Sequence, residues 1–111
     1  MNIPYDSPQL DAILDALANQ KRRGIVDTLS LSPSTVKQLA SQHNLSLPAI
    51  HKHIRSLENA NLIVRHKVGR TNFVALNPET LGLAQGWIMQ YQTSWGNAHA
   101  TLENYVSGMR E

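Results

Sequence analysis

Two short helical patterns, three residues apart, constrain this chain more than any other feature. Thr35-Val36-Lys37-Gln38 has the form of a capping box, a hydroxyl cap with Gln three residues on. Val36, Leu39 and Ala40 supply the apolar face of a short helix. The pattern ends near His43-Asn44, and Asn suits a left-handed residue at a helix end. Ser46 then caps a further helix with Pro48 in its first turn. At 100° per residue, Ile50, Ile54 and Leu57 line one side of it, with His53 at the margin. Pro48, His51, Lys52, Arg55 and Asn59 line the opposite side. The helix is amphipathic, its polar face is cationic rather than mixed, and Asn61 closes it as Asn44 closes the one before.

The flanking segments fit one small domain over 1–111. Ser7-Pro8 opens a first helix whose stripe is Leu10, Ile13, Leu14 and Leu17. Asn19 caps a second, with Ile25, Val26 and Leu29 as its buried face. Gly24 inside it costs about 1 kcal/mol relative to alanine, with no offset visible in the sequence. Arg22 and Arg23 stand either to touch phosphate or to pair with Asp27 one turn on. Leu31-Ser32-Pro33-Ser34 breaks the helical pattern. Residues 62–67 and 71–76 read as two strands around Val68-Gly69-Arg70, a hairpin that carries Arg65, Lys67 and Arg70 at its tip. Residues 79–108 read as one long final helix, weakened by Gly82, Gly86 and Gly96.

Charge follows this layout. The chain has 10 Lys and Arg against 8 Asp and Glu, net +2. Residues 1–50 are neutral, residues 51–70 carry +4, and residues 71–111 carry −2. His51, His53 and His66 fall in the basic segment. A basic segment between neutral and acidic ones suits a surface that meets an anion, as well as an ordinary solvated face. Cysteine is absent, which removes disulfides, thiolate metal sites and cysteine nucleophiles together. No apolar run approaches the roughly 18 residues of a membrane span, and the first six residues lack the layout of a secretory signal. A cytoplasmic protein without membrane contact is expected. No motif sets a nucleophile beside a base or forms a phosphate loop, so no catalytic residue is assigned.

A short helix, a tight turn and a second helix with a cationic outer face make a helix-turn-helix, and the basic hairpin behind it makes it winged. A major groove about 12 Å wide admits one helix, whose N-terminal residues reach the base edges. At this point the sequence resembles the arsenical-resistance repressor (ArsR) family of winged-helix transcription regulators. Residues 19–26, Asn-Gln-Lys-Arg-Arg-Gly-Ile-Val, resemble its DPTRRRIL segment, and residues 35–40 its TVGELA. Residues 46–54 resemble its SQPAVSKHL, residues 57–63 its LEEAGLV, and Val68-Gly69-Arg70 its wing. The resemblance runs from about residue 8 to 80. The tail, with Trp87, Tyr91 and Trp95, is similar to a metal-independent branch.

The resemblance implies a mainly α winged helix-turn-helix, with a two-stranded wing and a long C-terminal dimerisation helix over 79–108 behind a core of 8–78. It implies a homodimer that represses by occluding an inverted-repeat operator in double-stranded DNA. By family position Pro48, His51, Lys52 and Arg55 face the groove, and Arg65, Lys67 and Arg70 belong to the wing. Ser46 caps the recognition helix and is placed to donate to a phosphate, and Leu47 beside it completes the expected DNA-binding set. The first and last helices form the interface, through Leu10, Ile13, Leu14, Trp87, Tyr91, Trp95 and Leu102. Four positions depart from the pattern: His51 for serine, Leu47 for glutamine, and Asn44 and Asn61 for glycines. Leu47 and Pro48 read no base by side-chain hydrogen bonds and touch only apolar features such as a thymine methyl.

Other readings compete. His51 and His53 point about 200° apart on a helix, so one ion cannot take both. His99 and Glu103 share a side of the last helix but lack the further ligands a metal site needs. No metal and no cofactor is assigned, and the sequence names no effector. His53 is expected to be a packed, hydrogen-bonded core-edge histidine, and His51 an exposed one facing DNA. The aromatic series from Trp87 fits an interface better than a ligand pocket. The alternative function is a winged-helix module that binds another protein and does not bind DNA specifically.

Overall fold

In the computed structural model of the chain, residues 3–92 and 96–109 are described. Helix α1 (Pro8–Leu17) begins where the Ser7 hydroxyl accepts the N–H groups of Gln9 and Leu10, at 3.1 and 3.3 Å. Helix α2 (Gln20–Leu31) begins where the Asn19 side chain accepts Arg22 N–H at 3.1 Å. The two arginines of that first turn reach back. Arg22 Nε donates to Ala16 O at 2.7 Å and its Nη2 to Asp15 O at 3.1 Å, while Arg23 Nη1 donates to Leu17 O at 3.0 Å. These carbonyls lie in the last turn of α1, where a helix end leaves acceptors open, although Asp15 O also accepts Ala18 N–H. The arginines therefore fix the α1–α2 corner, and among the described residues neither pairs with Asp27.

Gly24 has a reason that only the fold supplies. A Cβ there would stand 3.3 Å from Cε1 and 3.4 Å from Nδ1 of the His43 ring. His43 lies in the turn after α3, its Nε2 is 3.0 Å from Thr28 Oγ1, and its carbonyl accepts Lys21 Nζ at 3.0 Å. The missing side chain lets the turn sit directly on α2.

Strand β1 (Ser34–Thr35) runs into α3 (Val36–Gln42), and Thr35 serves both. Its hydroxyl accepts Gln38 N–H at 3.1 Å and its own N–H donates to Gln38 Oε1 at 3.0 Å, the capping box expected from sequence. Asn44 has φ 54° and Asn61 φ 59°, as their positions predict. Each closes its helix the same way, with Leu45 N–H bonded to Ala40 O and Leu62 N–H to Leu57 O. Between them lies α4 (Leu47–Asn59), with Ser46 Oγ accepting Ala49 N–H at 3.3 Å.

Strands β2 (Ile63–Val68) and β3 (Thr71–Leu76) pair antiparallel from Ile63↔Leu76 to Val68↔Thr71. Gly69 turns the hairpin at φ 60°. The sheet has three strands in the order β1-β3-β2, not two. β1 adds Ser34↔Val74 and Thr35↔Phe73. Two residues behind Pro33 are too few to show an alternating pattern, so the sequence carried no strand signal there. Of the hairpin only Ile63 and Val74 are buried, with Leu76 packed half-buried against the core, and most of β2 is exposed.

The core is Ile13, Ala16, Ile25, Leu29, Val36, Leu39, Ile50, Ile54, Leu57, Leu62, Ile63 and Val74. Helix α5 (Pro78–Met89) covers it through Ala84 and packs on α1. Its start is tied to the end of α4, because Asn77 Nδ2 and Thr80 Oγ1 both donate to Asn61 O. The single helix expected over 79–108 is in fact two, α5 and α6 (Ala98–Met109). Gly96 takes φ 86° and Asn97 Oδ1 accepts Ala100 N–H at 2.9 Å, so a fresh helix starts there. The pair Gly96-Asn97 was the readable signal, overridden by the helical spacing of the apolar residues around it. Among the described residues no helix is long and apolar enough to cross a membrane.

Gly24→Val is expected to lower stability by about 1–3 kcal/mol, because the added carbons press on the His43 ring. Urea unfolding of the variant beside the unmodified protein checks it. Equal midpoints would show that the turn moves aside at no cost.

Candidate nucleic-acid interface

The buried face of α4 determines what its other face can do. Ile50, Ile54 and Leu57 are completely buried, so Pro48, Lys52 and Arg55 on the opposite side are exposed. Among the described residues neither Lys52 nor Arg55 has an ion pair or side-chain hydrogen bond. The same holds for Lys67 on β2 and Arg70 at the hairpin turn, both exposed.

Arg65 differs from these. Its Nη2 donates to Glu58 Oε1 at 2.6 Å and its Nε to Glu58 Oε2 at 3.2 Å, a two-pronged bridge from β2 to the end of α4. Such forked pairs fix geometry as well as charge. The charge of Arg65 is balanced inside the domain, and its bridge ties the wing to α4.

His51 is half-buried rather than exposed. It lines a cleft of about 190 Å³ between α3, α4 and the hairpin turn, with Thr35, Lys37, Leu47, Arg70 and Asn72 among its neighbours. Lys37, Thr35 and Asn72 were not among the expected site residues. They come from two separate stretches, residues 35–37 and β3, and the packing of β1 on β3 brings them together beside α4. The cleft is cationic on two sides, through Lys37 and Arg70, and among the described residues neither has an acidic partner.

The arrangement is that of a winged helix-turn-helix. The family model for bacterial regulatory proteins of the arsR family matches residues 13–64. The chain is 35% identical over 98 residues to the HTH-type transcriptional regulator Rv2034 of Mycobacterium tuberculosis, which covers 88% of this chain and 90% of that protein. The chain belongs to the arsR family. It is also 27% identical over 82 residues to the transcriptional repressor SdpR of Bacillus subtilis, over 74% of this chain and 91% of that one. Among solved structures it superposes on the ArsR family transcriptional regulator RHA00566 with a TM-score of 0.73 and 34% identity, over 81% of this chain and 91% of that one.

Within this arsR-family fold the residues expected at a dimer interface separate into two groups. Leu10 and Ile13 are 1% and 0% exposed and belong to the chain's own interior. They are unavailable to a partner, because the stripe of α1 faces the core and only its edge, Leu14, reaches the surface. Tyr91 and Leu102 are well exposed. Trp87 is half-buried and meets Tyr91 edge to face, with ring centroids 5.3 Å apart and an interplanar angle of 70°. Its indole N–H is buried and has no partner among the described residues. Trp95 lies outside the described residues. Helix α6 buries none of its residues, and Leu102, Tyr105, Val106 and Met109 stand open on it.

His53 sits on the inner margin of α4, half-buried as expected, but its Nδ1 is buried without a hydrogen-bond partner among the described residues. Burial, and then the charges of Arg22, Lys52 and Lys21 nearby, hold its pKa below the ordinary histidine value. The fold therefore disfavours the protonated ring, which takes a proton more readily in the unfolded chain. Stability tied to His53 is therefore present above the unfolded pKa of about 6.5 and is lost as pH falls toward the lower folded value. His53→Gln is expected to flatten the decline of the thermal midpoint between pH 7.5 and 5.5. An unaltered decline in that variant would assign the pH dependence to other groups.

Proposed function

We propose that this protein binds double-stranded DNA sequence-specifically as a homodimer and represses transcription by occupying its operator. The observation that carries the reading is a set of exposed cations without acidic partners among the described residues: Lys52 and Arg55 on the outer side of α4, Lys37 and Arg70 lining the cleft beside it, and Lys67 on the wing. Helix α4 enters the major groove, with Arg55 and Lys52 at base edges or phosphates and Ser46 and His51 beside them. The wing lies along the backbone, where Arg70 and Lys67 neutralise phosphates and supply affinity without sequence information. The reading gives the protein no catalytic role and no resident cofactor. Rv2034 and SdpR, described as a transcriptional regulator and a repressor, support the regulatory part of it.

The second copy docks on the apolar surface of the C-terminal helices. Trp87 and Tyr91 at the end of α5 and Leu102 and Tyr105 on α6 supply it, with Leu14 on α1, and a lone 12-residue helix such as α6 is marginal in water without a partner. Two-fold symmetry sets half-site centres about 34–36 Å apart, or a multiple of that distance. Selection of genomic fragments by the purified protein at roughly 150 mM salt, where non-specific phosphate binding is already weak, tests the reading. A shared inverted repeat is the expected product. Recovery of no preferred sequence would favour a protein-binding module of the same fold.

Arg55→Ala is expected to cost about 1–3 kcal/mol of operator binding and to relax one base position in each half-site. Uniform weakening across sequences would make Arg55 a phosphate contact. Arg70→Ala is expected to lower the slope of log K against log salt by about one for each wing, whereas Arg65→Ala changes it less, because Glu58 already balances that charge. Equal slopes for the two variants would place Arg65 on the DNA. Leu102→Glu with Tyr105→Glu is expected to give a monomer in analytical ultracentrifugation, and a dimer that persists would move the interface elsewhere.

A further inference from the structure

A recognition helix that docks by its N-terminal end puts its first turn deepest in the groove. In α4 that turn is Ser46, Leu47 and Pro48. The Ser46 hydroxyl oxygen is held over the helix end by Ala49 N–H. Leu47 is 47% exposed, whereas Ile50, Ile54 and Leu57 of the same helix are fully buried. Pro48 is exposed and carries neither a polar side-chain atom nor an N–H. Beyond the Ser46 hydroxyl at the cap, hydrogen-bonding side chains on this helix begin at His51 and Lys52, one turn further back. The surface of the helix between the cap and that turn is therefore hydrocarbon. Leu47 also lines the cleft that Val36 and Thr71 border.

Hydrocarbon pressed on a donor or acceptor at a base edge takes that group out of water without replacing its hydrogen bond, which is costly. In the major groove one base edge alone carries an apolar group, the C5 methyl of thymine. Contact there removes two apolar surfaces from water and leaves no polar group unpaired.

Building on the DNA-binding reading above, we infer that Leu47 and Pro48 read thymine by its C5 methyl, so that each half-site carries a thymine under the first turn of α4. This recognition discriminates thymine from uracil, which pairs identically and offers the same hydrogen-bonding groups.

The test uses the selected operator resynthesised with deoxyuridine for thymidine, one symmetric pair of positions at a time. At one or two positions the substitution is expected to weaken binding about fourfold per half-site, the factor that burying one methyl-sized group supplies. Leu47→Ala or Pro48→Ala should bring that loss below about twofold, with thermal unfolding midpoints confirming that both variants fold. Two results overturn the inference while the DNA reading stands: every deoxyuridine duplex bound as tightly as its parent, or the same loss in both variants as in the unmodified protein. If the unmodified protein binds the operator no better than a scrambled duplex in the same titration, specific DNA binding itself fails and the inference falls with it.

Discussion

The burial of one face of α4 is the constraint from which the rest of the structure follows. Ile50, Ile54 and Leu57 are sealed against α1, α2, α3 and β2. Each such side chain contributes on the order of 1.5–3 kcal/mol by leaving water. With that face fixed, helical periodicity turns Pro48, Lys52 and Arg55 outward without further specification. The polar face is cationic and meets solvent because the apolar face leaves it no other place.

How α4 sits relative to its neighbours is decided by a few polar closures. Asn44 and Asn61 adopt positive φ and end α3 and α4 within single residues, at a small cost because asparagine tolerates that region. Arg22 and Arg23 close α1, and His43, lying on Gly24, ties the helix turn to α2. Asn61 O gathers Asn77 and Thr80, which anchors the start of α5 to the end of α4. Apart from the packing of His43 on Gly24, these contacts satisfy backbone groups at helix ends, so cap chemistry and tertiary geometry are there the same bonds.

Charge is used in two ways. Arg22, Arg23 and Arg65 are engaged within the domain, on carbonyls or on Glu58. Lys37, Lys52, Arg55, Lys67 and Arg70 have no acidic partner among the described residues. Composition cannot distinguish these groups, since each draws on both the neutral first half of the chain and the basic segment 51–70. The second group carries the proposed salt-dependent binding, since its charges have no counter-ion in the fold to displace.

Local chemistry made much of this legible from sequence. The caps at Ser7, Asn19, Thr35 and Ser46, the turns at Asn44 and Asn61, the Gly69 hairpin and the amphipathic face of α4 depend on residues a few positions apart, and the structure places them as expected. What was missed depends on residues brought together from far apart. β1 exists only because β3 lies beside it. The bridge from Arg65 to Glu58 spans a strand and a helix, and the cleft around His51 draws on three segments. Helical spacing and resemblance put Leu10 and Ile13 at a partner surface, yet the fold takes that stripe of α1 into its own interior. Sequence alone determined where helices start and stop and which face of α4 is charged, because capping and periodicity are short-range. Only the tertiary structure decided which charges stay free and which apolar residues stay exposed, because burial and pairing depend on what else arrives at the same place.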